Sequence, residues 1–282
     1  MRSTGSFVSL SLLLGLGALG CADELSSPTL LDRPRILALS ASPLEPVVGE
    51  TVTVTPAVYL PAGSTDATTE AAFCPFSLGS ASAFACIDPV CERPVTVGAD
   101  GAVTFDPAAE AFACAGALGL DVQATGAVPG AGLPSTLETH LRYRLLTPGA
   151  EPREAVLRLP LHLEAPARPL NRAPVIAAVT LDGTPVARGD SLAVGAGPLT
   201  LGVRIDPESL DTIPVAGEAD ATRLEEPIVA FHATGGSFEY AFAFGDEVAI
   251  TYEPDTTESE LWLVVRDGRG GQAAFGPLYL RP

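Results

Sequence analysis

Residues 137–146, LETHLRYRLL, and residues 157–164, LRLPLHLE, decide the fold class. In the first run Leu137, Leu141, Tyr143 and Leu145 share one parity. In the second, Leu157, Leu159, Leu161 and Leu163 alternate with Arg158, Pro160, His162 and Glu164. A period of two puts successive side chains on opposite faces of a strand, so each run predicts a strand with one buried and one wet face. The stretch between them, TPGAEPRE at 147–154, predicts a turn that closes the two into an antiparallel hairpin. Pro160 has no N–H to give a ladder, which places the second run at a sheet edge.

The same period recurs outward from this hairpin. Val52, Val54, Val58 and Leu60 alternate with threonines in TVTVTPAVYL. Beyond a proline-rich boundary at Pro166–Pro174, Val175, Ala177, Val179 and Leu181 alternate and then meet the turn pair Asp182-Gly183. Leu199, Leu201, Val203 and Ile205 follow, then Leu261, Leu263 and Val265 ahead of RDGRGG, with FGPLYL as the returning strand. Phe238, Tyr240, Phe242 and Phe244 share a parity, and such a stripe is expected to face a core. No helical period of useful length is legible. The chain is therefore expected to be all-β, with two tandem antiparallel sandwiches at 35–167 and 173–282.

Residues 1–20 are read apart from the fold. Arg2 precedes an uncharged Leu/Gly/Ala-rich run from Phe7 to Leu19. That run is shorter than the ~20 residues a bilayer span needs, and it has the length of a signal-peptide core. The segment LGALGC resembles the lipobox of bacterial lipoproteins, with Ala18 standing where leucine is usual. This resemblance implies that Cys21 is acylated. Ordinary signal cleavage would cut the same bond, since Ala18-x-Gly20 suits that enzyme too, and cysteine parity separates the two readings. The five cysteines are Cys21, Cys74, Cys86, Cys91 and Cys114. In an oxidising compartment an odd thiol is left over, unless Cys21 carries lipid and the other four pair. Residues 21–34, polar and proline-bounded, are then expected to be a flexible tether.

The later cysteines are spaced C-x11-C-x4-C-x22-C, without the close pair that zinc or redox sites use. Two disulfides are expected. Three connectivities are open, and Cys74–Cys86 with Cys91–Cys114 is preferred because it needs no crossing. The formal net charge is −18, and all 16 cations are arginine. That balance argues against nucleic acid and against an anionic membrane surface.

Catalytic signals are few. There is no G-x-S-x-G elbow or H-E-x-x-H helix, and without lysine there is no S-x-x-K. His140 and His162 fall on the polar parity of the hairpin strands, where Glu138 and Glu164 would have to complete a metal site. Solvated histidines are the expected reading. Asp206, Glu208, Asp211 and Asp267 are calcium candidates, because carboxylate loops can supply six to eight oxygens. They lack a D-x-D-x-D-G loop, and turn chemistry explains them as well. No cofactor is expected.

SPLEPVVGETVTVTP resembles the first strand pair of bacterial immunoglobulin-like modules. NRAPVIAAVTLDG with LWLVVRDGRGG is similar to the opening and closing strands of immunoglobulin-like or PKD-like repeats, without the W-x-F-G-D-G stretch of the latter. The whole resembles lipoproteins of high-GC Gram-negative bacteria that carry tandem domains of this kind. The resemblance implies a lipid-anchored cell-envelope protein, at the outer membrane because Ala22 rather than aspartate follows Cys21. It also implies a non-catalytic binding or spacer role, with an envelope protein or a glycan as partner. A calcium-dependent or carbohydrate-binding adhesion module and a secreted hydrolase are the rival expectations.

Overall fold

The computed structural model describes residues 28–64, 66–119, 135–195, 197–214 and 221–281. The expected signal peptide (1–20), Cys21 and the start of the expected tether lie outside the described residues. The first domain contains β1 (Arg35–Ser42), β2 (Val52–Tyr59), β3 (Thr68–Cys74), β4 (Arg93–Val95), β5 (Val103–Phe105), helix α1 (Pro107–Ala117), β6 (Thr136–Leu146) and β7 (Arg153–His162). Strands β1-β2-β5 form one sheet and β4-β3-β6-β7 the other. Their facing sides bury Val52, Val54, Phe73, Val103, Leu141, Tyr143, Leu157 and Leu159. The β6–β7 hairpin pairs Leu145 with Arg153 and Glu138 with Pro160, and β7 is the sheet's edge strand, as Pro160 requires.

The second domain contains β8 (Ile176–Leu181), β9 (Thr184–Pro185), β10 (Ser191–Ala193), β11 (Leu199–Ile205), β12 (Thr212–Pro214), β13 (Thr222–Leu224), β14 (Ile228–Ala233), β15 (Ser237–Phe238), β16 (Phe242–Phe244), β17 (Glu247–Glu253), β18 (Ser259–Arg266) and β19 (Gln272–Arg281). One sheet runs β15-β17-β11-β8-β9 and the other β10-β19-β18-β14-β16, with β12 and β13 a separate ribbon. At the β8–β9 turn, Asp182 and Gly183 both have positive φ, 49° and 76°, the backbone of a two-residue hairpin turn.

Setting aside β9, β10 and β15 exposes a common plan. The first, second and fifth strands face a sheet ordered fourth, third, sixth, seventh in the first domain. In the second, β8, β11 and β17 face β16, β14, β18 and β19. This is the Greek-key order of immunoglobulin-like and fibronectin-like sandwiches. The fold is all-β, two such sandwiches in tandem.

Four features depart from the sequence reading. The first is α1, which was not expected. Asp106 caps it, its Oδ1 accepting from the N–H groups of Ala108 and Ala109 at 2.9 and 3.0 Å, and Pro107 fills the first position, where no N–H is missed. The helix packs Ala108 and Ala111 against Leu137 near the start of β6 and Leu161 near the end of β7. Disulfides join Cys74 to Cys86 and Cys91 to Cys114, so one ties β3 to the loop beyond it and the other ties α1 to a 3-10 turn at Pro89–Cys91.

The second departure concerns the histidines. His140 pairs across the hairpin with Arg158 and His162 with Thr136, so the two do not face one another. Neither is solvated: His140 is 7% exposed beneath Phe84 of the disulfide loop, and His162 is 3% exposed. The third is the aromatic stripe. The chain crosses from one sheet to the other between β15 and β16, which reverses the parity. Phe238 turns inward against Phe231 and Tyr252, while Tyr240, Phe242 and Phe244 face out. The fourth is the tether, which is docked from Pro28 onward: Leu31 is 2% exposed and its N–H donates to the Ala233 carbonyl at 2.7 Å. An apolar Leu30-Leu31 pair beside an unpaired strand end is better buried than left in water.

Candidate functional site

The most developed assembly of side chains lies where the two sandwiches meet. Strand β18 reads LWLVV at 261–265, and Leu261, Leu263 and Val265 point into the second domain's core. Trp262 and Val264 point the other way, into a cluster with Leu31, Leu37, Ala38 and Tyr59. The geometry is set by two irregularities. A register shift between Leu261 and Leu263 places Gly276 and Pro277 opposite Trp262, and another between Ile36 and Ala38 turns Leu37 and Ala38 toward the second domain. Two polar contacts fix the stacking. Arg266 donates to the Leu37 carbonyl at 3.0 Å, and the Leu39 N–H donates to Gln272 Oε1 at 3.4 Å.

The linker supplies a second, polar clasp. Glu45, 6% exposed, accepts from both terminal nitrogens of Arg168 at 2.8 and 3.0 Å and from the Asn171 N–H at 3.1 Å; His162 Nε2 lies 3.4 Å away. Burial alone pushes the Glu45 carboxyl up, and the Arg168 fork with the Asn171 N–H more than reverses it, so the group is held below its usual range. Asn171 in turn donates to Asp267 at 3.0 Å. The docked tether, the linker and β18 together fasten one sandwich to the face of the other.

The calcium candidates are dispersed around this clasp. Asp206 caps a 3-10 turn by accepting from the Glu208 N–H at 3.0 Å, and Glu208 itself is exposed. Asp211 is ion-paired with Arg269 at 2.9 Å. Asp267 accepts from the N–H groups of Arg269 and Gly271 at 2.7 and 2.8 Å, closing the RDGRGG turn. Burial pushes Asp267 up, and likewise Glu225 beside it. Asp206, Asp211 and Asp267 are engaged in turns and arginine pairs. Among the described residues no group of three or more His, Cys, Asp or Glu side chains is placed to hold a metal ion.

Next to the junction the structure leaves an exposed aromatic edge. β16 pairs Phe242 with Ala230 and Phe244 with Ile228, and the Phe231 N–H donates to the Ala241 carbonyl. Ala243 therefore points to the core, and Phe242 and Phe244 are 53% and 55% exposed, in edge-to-face contact at 5.6 Å. Tyr240 is 60% exposed, two residues before Phe242 in the crossing between β15 and β16. His232 Nδ1 donates to the Pro28 carbonyl at 3.2 Å, and Arg35 donates to the same oxygen at 2.8 Å. Burial, with Arg35 and Arg266 nearby, lowers the His232 pKa to about 4. The described chain thus begins beside the aromatic row. Sequence reasoning missed this site because it assumed one continuous strand from Phe238 to Phe244, and no glycine or proline marks the crossing at 239–241.

A groove of about 630 Å³ opens on the first domain, lined by Glu70, Glu92, Pro94, Val95, Arg142 and Arg144 among others. Its arginines are already paired, Arg142 with Glu92 and Glu154 and Arg144 with Glu70, so it offers no free charge to a ligand.

No family model matches the chain, and no curated protein matches it. Among solved structures the chain is similar to the fibronectin(III)-like modules of CbhA from Clostridium thermocellum, at 9% identity and a TM-score of 0.26, over 86% of this chain and 93% of that one. It is also similar to Salmonella alpha-2-macroglobulin reacted with methylamine, at 11% identity and a TM-score of 0.27, over 90% of this chain and 17% of that one. Likeness at this level adds nothing to the strand order, which alone carries the assignment of the sandwiches.

Proposed function

We propose that the chain is a lipid-anchored cell-envelope protein, held at the outer membrane through Cys21, that acts as a non-catalytic binding or structural module. One observation carries the reading. Cys74, Cys86, Cys91 and Cys114 are used up in two disulfides, which leaves Cys21 the odd one of five. An exported protein rarely keeps an unpaired thiol, and acylation removes it. The fused junction supports the structural half of the reading: two sandwiches stacked face to face form a block held close to its attachment point, better suited to presenting a surface than to reaching outward. Its partner in this reading is an envelope protein or a glycan. Neither the dispersed carboxylates nor the buried histidines favour the calcium or hydrolase alternatives.

Intact-mass analysis of the purified mature N-terminus tests the anchor. The expected result is a chain starting at Cys21 with the added mass of diacylglyceryl and acyl groups, and Cys21→Ser releases the protein from membranes. A free, unmodified Cys21 overturns it.

A further inference from the structure

Resting on the reading of Cys21 as the lipid-bearing residue, we propose that Tyr240, Phe242 and Phe244 form a second membrane contact, a row that lies in the headgroup interface of a zwitterionic bilayer. The row is placed by where the described chain begins. Pro28 is bonded to His232, which lies two residues beyond Ala230 on β14, and Ala230 pairs with Phe242. Neighbouring strands are about 4.8 Å apart, so Pro28, bonded to the strand that pairs with β16, lies beside the row. Six residues lie between Cys21 and Pro28, seven steps of chain that reach about 25 Å at full extension. A lipid at Cys21 therefore keeps this edge of the second domain near the bilayer.

The side chains suit that place. Aromatic rings with exposed bodies, one bearing a hydroxyl, partition to the boundary between headgroups and acyl chains. Phe242 and Phe244 are in mutual contact, and Tyr240 is exposed two residues before them in the chain, so the apolar surface is grouped rather than scattered. Charge selects the lipid. Exposed Glu239, Asp246 and Glu247 flank the row and the net charge is −18, so anionic headgroups repel it and zwitterionic ones do not. A second copy of the chain is the other conceivable occupant, but β16 is three residues long and offers little ladder to a pairing strand.

The test uses the purified mature chain carrying Phe244→Trp in phosphatidylcholine vesicles, with intact mass read on the same sample. The expected result is a blue-shifted emission from the new tryptophan, quenched by lipids brominated close to the headgroup. The parent, whose Trp262 is buried in the junction, stays unquenched. In a Cys21→Ser background, vesicle binding falls about tenfold or more when Phe242→Ser and Phe244→Ser are added, the equivalent of about 1.4 kcal/mol. Lipid present with no quenching overturns the row and leaves the anchor standing. Lipid absent with quenching retained removes the anchor and supports the row, while absence of both removes both. A blue shift that follows protein concentration without vesicles assigns the row to a second copy and overturns the bilayer contact.

Discussion

Gly276 shows how one residue holds the junction open to its partner. It adopts φ 134°, and a Cβ there would lie 2.9 Å from the Trp262 ring and 2.8 Å from the Leu261 carbonyl. Gly276→Ala is expected to cost about 2–4 kcal/mol from backbone strain and overpacking. Trp262→Ala empties the interdomain cluster and is expected to cost about 3 kcal/mol. Because the two positions touch, the double variant should lose less than the sum of the singles, read from urea unfolding in a double-mutant cycle. Strict additivity would show that Gly276 does not serve Trp262. The apolar run at 261–265 was visible in the sequence, yet only alternate members were assigned to a core. A strand covered on both faces reads as a continuous apolar run, and that is what LWLVV is.

Helix α1 is an element that tertiary context made worthwhile. Its alanines give it little amphipathic contrast, so no period is legible. Its start was legible nonetheless, in Asp106-Pro107 with Glu110 in the first turn. Asp106→Ala is expected to destabilise the first domain by about 1 kcal/mol. Replacing Cys91 and Cys114 together by serine is expected to cost about 2–4 kcal/mol. Amide exchange locates the loss: α1 should lose protection first while β6 and β7 keep theirs. Equal loss across the domain would mean that the bond supports the sandwich core instead. β16 illustrates the opposite case. An aromatic parity that looked like a core strand is split between two sheets by the crossing at 239–241.

At the scale of the whole molecule, the fused domains should unfasten on mild acidification. His232 is neutral in the fold, with a pKa of about 4 against about 6.5 in an unfolded chain. A depressed folded pKa means that the unfolded chain binds more protons between those values, so this stability is present above pH 6.5 and is lost as pH falls toward 4. The shift caps the effect at about 3 kcal/mol, less for the part of the ring that water reaches. Arg35 and Arg266 oppose the proton, and the Pro28 carbonyl favours it. Asp267 and Glu225, raised by burial, titrate with the opposite sign: their contribution is present at low pH and lost as pH rises. The diagnostic quantity is therefore the difference between the parent and His232→Gln, whose melting temperature should fall less from pH 6.5 to 4.5. Parallel curves would exclude His232.

The sequence by itself determined the long alternating strands, the β6–β7 hairpin and the tandem sandwiches, because period two, Asp-Gly turns and an edge proline act within a few residues of each other. It also counted the cysteines. Only the tertiary structure decided which faces are wet: that His140 and His162 are covered, that Leu31 and Trp262 meet across 231 residues of chain, and that three aromatics stand outside. Burial belongs to pairs of surfaces, and where both faces of a sheet find a partner, alternation no longer separates the core from the solvent.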